Sequence, residues 1–349
     1  MSTWLAVRPV GALATRDGRG FSAGINSEGG SVFPRPSTVA GAVAAAVGGT
    51  FVSVQGPFIV DERAPEPRLL LPSPKSLLIN KFDDRSLVRV KRLGVELTDL
   101  PLAGVCVGDG TAASRWIDAG SFAPLLNGDP GDLASVLFEE PYSIENRVGL
   151  WREDGRVASD SYLYSMENLV LEDGFSFAVR YEGPHVVGQR TVQLGGEARL
   201  ATVEEVSFTS DPLPLPPAEF PGGRLLVYLA SPGIFESGWC PPLPEDATVV
   251  AACVAGPMPV GTFGISDQTR KGVRQLNHAV EAGSVYFLEF GTPESAKRWS
   301  RERAGTALPY KPESSSENPR RQRFETAGFN VAFTGIWSYD SVAEQKEAL

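Results

Sequence analysis

The sequence predicts an α+β protein built from two similar units. Short apolar segments with strand character alternate irregularly with a few helix-like segments, and the alternation starts again after residue 223. A stiff, proline-rich stretch, DPLPLPPAEFPGG at 211–223, separates the two series and is incompatible with a helix or a central strand. Because the strand-rich series occurs twice, we predict two ferredoxin-like units of the split βαβ type.

The two predicted units differ in size. The first covers residues 1–210 and includes an irregular insertion at about 61–145, whereas the second covers 224–349. Residues 211–223 form the boundary between them. The length of 349 residues agrees with two domains of ordinary size.

The first unit opens with a strand at 4–9, a helix after Ser37 and a strand at 51–60. Ser37 is a favourable N-cap, and Pro36 before it fixes the direction of the chain. The helix contains almost only Ala, Val and Gly, so we expect it to lie very close to a sheet. Its apolar stripe and its glycine end are Val39, Val43, Val47, Gly48 and Gly49.

The remaining segments of the first unit have strand patterns. NKFDDRSLVRVKRL at 80–93 alternates polar and apolar residues, which favours a solvated edge strand protected by charge. Residues 145–171 predict a hairpin around an Asp154-Gly155 turn, and 174–183 predict a further strand. A double glycine at the start of 194–210 leads into the last strand of this unit.

The second unit repeats this order with a different helix. Strands are predicted at 224–232, 247–256 and 282–290, and the strand that ends the unit lies within 318–337. The helix at 292–305 has recognisable ends, namely Thr292 as N-cap, Pro293 at the first helical position and Gly305 as the stop.

Composition excludes several classes of protein. The net charge of −10 counts against a protein that coats nucleic acid with its whole surface, although salt screening still permits a local basic site. Three scattered cysteines without a CxxC pair favour the reducing cytoplasm, and two histidines give no basis for a metal site or a cofactor. The N-terminus lacks a signal-peptide pattern, and no segment is apolar enough to enter a membrane.

The chain has no convincing catalytic motif. A phosphate loop, G-x-S-x-G and HExxH are all absent, and the adjacent carboxylate pairs would point to opposite faces of a strand. His278 in RQLNHAVEAG is the one candidate for a general base in RNA cleavage. A structural position for His278 is the simpler interpretation, so no catalytic residue is assigned.

Cations concentrate in a few segments of this acidic chain. The start of the predicted helix at Ser37 and Thr38 offers unpaired backbone N–H groups, which bind anions, and Arg35 stands two residues before Ser37. The loop before the helix adds Arg16 and Arg19. In the second unit, cations lie beside glycines that allow backbone amides to approach phosphates: Arg270, Lys271 and Arg274.

The order of short motifs resembles one known family. The chain is similar to the third Cmr subunits of type III-B CRISPR effector complexes, which belong to the RAMP (repeat-associated mysterious protein) superfamily. The motifs that carry the resemblance follow one another through nearly the whole chain: RDGRGFSAG (16–24), FPRPSTVAGAV (33–43), ENRVGL (145–150), LYS (163–165), LGGEARLA (194–201), VYLASPGIFESGWCPP (227–242) and AGSVYFLEF (282–290).

The resemblance implies a non-catalytic RNA-binding subunit with two ferredoxin-like domains. Such a subunit grips the 5′ handle of the crRNA and contacts the large polymerase-like subunit and the backbone RAMP subunits, with no direct DNA contact. We expect phosphate contacts from the cations named above and from Arg147, and base stacking on Phe21, Phe33 or Phe263. Two alternatives stay open: a metal-independent endoribonuclease with His278 as base, and a scaffold that binds only protein.

Overall fold

The computed structural model describes most of the chain. The described residues are 2–15, 28–29, 31–49, 52–82, 85–93, 102–129, 137–138, 140–153, 157–263, 274–311 and 324–340, and for 28–29, 137, 150–153, 157–164, 262–263 and 274–275 the description is of the backbone.

The described elements of the first 210 residues are mainly strands. They are β1 (Ser2–Pro9), β2 (Glu28–Gly29), α1 (Pro36–Val47), β3 (Ser53–Asp61), β4 (Arg68–Pro72), β5 (Leu77–Ile79), β6 (Arg85–Leu87), β7 (Arg89–Arg92), β8 (Gly104–Val107), β9 (Thr111–Ala112), β10 (Trp116–Asp118), α2 (Phe122–Leu126), β11 (Leu137–Phe138), β12 (Tyr142–Glu153), β13 (Val157–Leu171), β14 (Phe175–Glu182), β15 (Arg190–Gln193) and β16 (Leu200–Glu205).

The described elements after residue 210 are also mainly strands. They are β17 (Arg224–Leu229), β18 (Ala247–Cys253), β19 (Met258–Phe263), β20 (Arg274–Ala279), β21 (Val285–Phe290), α3 (Pro293–Arg303), β22 (Thr306–Ala307), β23 (Ala327–Gly328) and β24 (Val331–Ile336). Short 3-10 helices occupy Ala119–Ser121 and Pro221–Gly223. The protein is therefore an α+β protein dominated by antiparallel strands.

Two large sheets organise the fold. The first has the strand order β11-β10-β4-β3-β14-β1-β16-β15, with β23 attached to β3, and the second has the order β18-β21-β17-β24-β22. Each predicted strand of the two series appears near its expected position. The prediction of an edge strand at 80–93 is confirmed in part, because β6 and β7 both lie at sheet edges but are two short strands in separate small sheets. Val88 between them donates its N–H to the carbonyl of Ser76 instead (2.8 Å).

The two sheets face each other across one apolar layer. Side chains from the first sheet, such as Trp4 and Phe58, share a buried cluster with Tyr228, Phe287 and Phe333 of the second sheet. Burial of apolar area is the largest stabilising contribution in a fold of this kind, at about 25 cal/mol per Å². Since the cluster draws on both halves of the chain, neither half encloses this core alone.

One helix covers the outer face of each sheet. Helix α1 buries Val39, Ala40, Ala42 and Val43, and these small side chains pack against the first sheet as the composition of the helix predicted. Gly48 ends α1 in the left-handed conformation (φ 82°). Helix α3 packs Ala296 and Trp299 on the second sheet. Its capping box joins Thr292 and Ser295, so the predicted Thr292 cap is confirmed.

The insertion at 61–145 is not a separate lobe where it is described. Strands β4, β10 and β11 extend the first sheet, and Leu77, Val90 and Phe122 enter the shared apolar layer. The ring of Phe122 lies 4.6 Å from that of Tyr228 in the second half. The insertion therefore fills space between the two sheets.

Asp61, at the end of β3, is a fully buried carboxylate held by two arginines. Its oxygens accept hydrogen bonds from Arg63 Nε (2.8 Å) and Arg68 Nη2 (2.7 Å). Burial raises the pKa of the carboxyl, but the hydrogen bonds from Arg63 and Arg68 outweigh burial and lower the pKa to about 2. The ionised carboxylate therefore stabilises the folded state.

Asp61→Asn should lower the free energy of unfolding by about 2 kcal/mol near neutral pH. Because the folded-state pKa of Asp61 is depressed from 3.8 to about 2, this contribution is complete above pH 4 and is lost as the pH falls towards 2. Urea unfolding of both proteins between pH 7 and pH 3 measures the difference, which should narrow below pH 4. Asp109→Asn at an exposed position is the control, and a pH-independent gap would contradict the assignment.

Asn330 connects three segments in the second half. It is fully buried with φ 65°, and its Oδ1 accepts the N–H of Ile234 at 2.7 Å. Its Nδ2 donates to the carbonyls of Ile234 (3.2 Å) and Leu308 (2.9 Å). Removal of the side chain would leave several buried backbone groups without partners.

Asn330→Ala should destabilise the protein by about 3 kcal/mol or more, since it removes these hydrogen bonds and places a Cβ-bearing residue at positive φ. Asn330→Gly removes the hydrogen bonds without the backbone strain, so it should cost less than Ala but still about 2 kcal/mol. Chemical denaturation gives both values. Equal stability of wild type and Asn330→Gly would show that the hydrogen bonds contribute nothing.

Candidate nucleic-acid interface

The segment that leads into α1 touches two hairpins. Strand β2 pairs in parallel with β13 of the long hairpin β12–β13, through Glu28 with Ser165 and Gly29 with Met166. The N–H of Ser31 then donates to Glu167 Oε2 on the same hairpin at 2.9 Å. We refer to residues 31–35 as the entrance segment, because the chain passes through them into the helix.

The helix begins two residues earlier than the sequence predicted. Helix α1 starts at Pro36, and Arg35 is its N-cap with extended backbone (φ −69°, ψ 150°) and no capping side chain. The prediction of Ser37 as N-cap was wrong, since Ser37 already lies inside the first turn and is exposed. The N–H of Thr38 donates to the carbonyl of Arg35 at 2.9 Å, so this donor is not available to a ligand.

Arg35 points into the protein. Its side chain is buried, with 8% of the residue exposed, and Nη2 donates to the carbonyl oxygen of Pro259 in β19 at 2.6 Å. The contact joins positions 224 residues apart and connects the two halves of the chain. Phosphate binding by Arg35 stays a prediction. The structure shows that Arg35 instead connects the start of α1 to the hairpin β19–β20 by a hydrogen bond.

Arg147 lies on the exposed face of the long hairpin. Its Cα is opposite Met166, which in turn pairs with Gly29, so Arg147 is two strands away from the chain that enters α1. Its guanidinium forms two hydrogen bonds with Glu145, of 3.0 and 3.2 Å, and these hydrogen bonds lower the pKa of the Glu145 carboxyl. An exposed ion pair of this kind contributes little to stability.

The hairpin β19–β20 presents the second predicted cluster. Arg274 pairs with Phe263 at the outer end of the described strands, while Arg270 and Lys271 lie outside the described residues. His278 is opposite Pro259 near the base and is exposed. The predicted cations Arg274 and, on the other hairpin, Arg147 thus belong to two arms that meet at the entrance segment.

Arg16 and Arg19 also lie outside the described residues. Thr15, the neighbour of Arg16, is fixed to the entrance segment because its carbonyl accepts the N–H of Val32 at 2.9 Å. Gly196 donates its N–H to the carbonyl of Ala14 at 2.8 Å, which explains why the motif LGGEARLA contains glycines at this position. The residue that precedes Arg16 is therefore attached to the entrance segment.

The described part of the site is not cationic. Arg147 and Arg199 face the carboxylates of Glu145 and Glu197, and Glu167 receives the Ser31 N–H. Apart from Arg147 and the buried Arg35, the basic character predicted from the sequence thus depends on five cations: Arg16, Arg19, Arg270, Lys271 and Arg274.

Phe33 is partly buried and packs against three aromatic side chains. Its ring lies 5.3 Å from Trp116, 5.9 Å from Tyr142 and 5.4 Å from Phe177, measured between centroids. Three aromatic neighbours fix the entrance segment on the first sheet. Phe21 lies outside the described residues, and Phe263 is described only by its backbone.

The second half also inserts into the first sheet beside α1. Ala327 and Gly328 in β23 pair in parallel with Val54 and Gln55 in β3. Gly328 has φ 92°, and a Cβ there would collide with the carbonyl oxygen of Gly56 and lie 3.3 Å from Pro36 Cβ. Sequence patterns gave no signal for this docking, because a two-residue strand has no periodicity.

A metal site and a membrane-spanning helix are both absent from the described residues. These residues contain no cluster of three or more His, Cys, Asp or Glu side chains that could hold a metal ion. Within the same part of the chain, no helix has the length and apolar character to cross a membrane.

Two antiparallel sheets with one outer helix each, and two hairpin arms that meet at a helix entrance, define an α+β protein with a candidate nucleic-acid interface. Residues 5–337 match the family of CRISPR-associated proteins described as Cas_Cmr3. The chain belongs to this family, which confirms the resemblance to the third Cmr subunits.

Solved structures show the same fold. One is a chain of the type III-B Cmr-beta complex bound to cognate target RNA and AMPPnP, with 15% identity, a TM-score of 0.52 and coverage of 94% of this chain and 95% of that one. Another comes from the Cmr-beta complex bound to cognate target RNA, with 16% identity, a TM-score of 0.51 and coverage of 94% and 96%. A search of curated proteins finds no match.

Gly328→Ala should destabilise the protein by about 2–4 kcal/mol, because the methyl group meets backbone atoms on both sides at positive φ. Gly41→Ala in α1 is the matched control, since Gly41 is exposed with open space around it, and this change should stabilise by about 0.5–1 kcal/mol. Thermal and urea unfolding give both values. A neutral Gly328→Ala would show that β23 is not closely docked.

Proposed function

We propose that this chain is a non-catalytic RNA-binding subunit of a type III-B CRISPR ribonucleoprotein. It anchors the 5′ handle of the crRNA and bridges the large polymerase-like subunit and the backbone RAMP subunits. The observation that carries the proposal is the contact of one segment, residues 28–35, with both hairpins that hold the predicted cations. Family membership supplies the biological setting.

The strand order supports two ferredoxin-like units. In the order of the chain, the first unit consists of β1, β3, β14 and β16, arranged in the sheet as second-third-first-fourth. The second unit consists of β17, β18, β21 and β24 in the same arrangement. A split βαβ unit has this order and two helices, of which the first unit keeps α1 and the second keeps α3.

The chemistry of the site suits a single-stranded RNA end. Guanidinium groups bind phosphates through paired N–H donors, and single-stranded RNA is recognised by splayed bases and backbone contacts. The arms carry such cations in a chain whose net charge is −10, so the rest of the surface disfavours unspecific RNA binding. The acidic surface is then available for contacts with the other subunits.

The solved neighbours agree with this setting. The two structures with the same fold are chains of a type III-B complex bound to target RNA. We propose that this chain takes the equivalent place in its own complex. His278 is exposed on β20 of a hairpin and lies opposite Pro259.

RNA binding is tested in the assembled complex with the double variant Arg16→Ala/Arg19→Ala and the single variant Arg147→Ala. Removal of each phosphate-binding cation should reduce the slope of log affinity against log salt by about 0.7. Arg301→Ala on the exposed face of α3 is the charge-matched control and should change nothing. Unchanged handle binding in all variants would favour the scaffold alternative, and metal-independent cleavage of repeat RNA abolished by His278→Ala would favour the enzyme.

The bridging role is tested by reconstitution with and without this chain. Without it, the large subunit should fail to join the backbone subunits in native mass spectrometry, whereas the backbone subunits should still assemble with each other. Joining of the large subunit in the absence of the chain would contradict the bridge.

A further inference from the structure

We propose that Arg35 is a positioning residue, which holds the hairpin β19–β20 in place so that the predicted cations Arg270, Lys271 and Arg274 reach the RNA. This inference rests on the proposed function for the RNA step, but the contact itself belongs to the free chain. Arg35 thus acts through the hairpin rather than as a phosphate ligand, the role that its place before α1 suggested.

The contact between Arg35 and Pro259 is a buried hydrogen bond from a charged donor. Arg35 is 8% exposed and its Nη2 lies 2.6 Å from the carbonyl oxygen of Pro259. A hydrogen bond from a charged donor is about twice as strong as one between neutral groups, and burial protects it from competing water. A phosphate would have to displace this bond and reach a buried side chain, whereas Arg147 is already exposed.

The hairpin depends on contacts at its base. Strands β19 and β20 form a two-stranded sheet of their own, and such a sheet is only marginally stable by itself. The β20 side is held by reciprocal backbone hydrogen bonds between Val280 and Gly233, of 2.7 and 2.8 Å. On the β19 side, Arg35 provides the corresponding bond at Pro259.

Apolar packing holds the base of the arm. Val260 and Ala279 are buried in a small cluster with Ile234, Phe324 and Phe329. Farther along β20, Leu276 is exposed. A hydrogen bond at Pro259 is therefore well placed to restrict rotation of the arm.

A small rotation at the base would move the cations out of reach. Pro259 and Phe263 are four residues apart, which corresponds to about 13 Å of extended strand. A rotation of about 10° would displace the end of the strand by about 2 Å, and a functional site tolerates only about 0.5 Å. Arg274 is opposite Phe263, and Arg270 and Lys271 precede it in the sequence between the two strands.

The first experiment measures hydrogen exchange in the full-length chain without RNA. Arg35→Lys keeps the charge but loses the planar fork of donors, and Arg35→Gln keeps one donor group without the charge. In both variants the backbone amides of β19 and β20 should exchange at least ten-fold faster, while those of β17 and β21 stay unchanged. Arg147→Ala is the control and should leave both hairpin strands unchanged. Unaltered exchange of β19 and β20 in both variants would overturn the proposal.

The second experiment is a double-mutant cycle in the assembled complex. Arg35→Lys should weaken handle binding about ten-fold and lower the salt slope by about 0.7 for each cation that no longer reaches a phosphate, and it should add nothing once Arg270→Ala, Lys271→Ala and Arg274→Ala are present. An effect of Arg35→Lys that is additive with the loss of these three cations would show that Arg35 acts as a direct ligand or in a purely structural role, and would overturn the proposal.

The two experiments separate this inference from the proposed function. Faster exchange of the hairpin in the free Arg35 variants, together with a wild-type complex that does not bind the handle, would support the role of Arg35 at Pro259 and reject the proposed function. Handle binding by the wild-type complex, together with unaltered hairpin exchange in the Arg35 variants, would retain the proposed function and reject the role of Arg35 at Pro259.

Discussion

Burial of one apolar layer between two sheets is the interaction on which the rest of the structure depends. Trp4 and Phe58 from one sheet meet Tyr228 and Phe333 from the other, and the insertion contributes Phe122 to the same layer. A sheet with two covered faces needs apolar residues on both, and here α1 and α3 cover the outer faces. The shared layer fixes the relative position of the halves, and with it the distance between the helix entrance and β19.

The candidate interface lies where the two halves meet, and polar contacts rather than apolar area determine its shape. Ser31 is bound by Glu167 and Arg35 is bound to Pro259, so both hairpins are attached to one short segment. Hydrogen bonds are directional and therefore specify the orientation of an arm better than apolar contacts do. The cost is that buried polar atoms need partners, which Arg35 and Asn330 both illustrate.

The sequence predicted most of the strands and both long helices, because period-two patterns, capping residues and glycines act locally. The Thr292 cap is an example, since its partner Ser295 is three residues away. The side chain of Arg35 could not be placed, because its partner is 224 residues distant and is a backbone carbonyl with no sequence signature. The same applies to Gly328, whose only distinguishing feature is a close approach to Gly56 and Pro36. The predicted cations, by contrast, were identified from the clustering of Lys and Arg in the sequence, and Arg147 from the family resemblance. The meeting of the two hairpins at one segment depends on long-range contacts that no local pattern shows.

The pairing of β23 with β3 has a consequence for synthesis of the protein. Residues 53–61 leave the ribosome early, but Val54 and Gln55 obtain their neighbours Ala327 and Gly328 only when nearly the whole chain has been translated. Contacts between such distant positions slow folding, and an uncovered strand edge attracts other chains in the meantime. The first half therefore leaves the ribosome as an incomplete sheet, and Ala327 and Gly328 complete it only later.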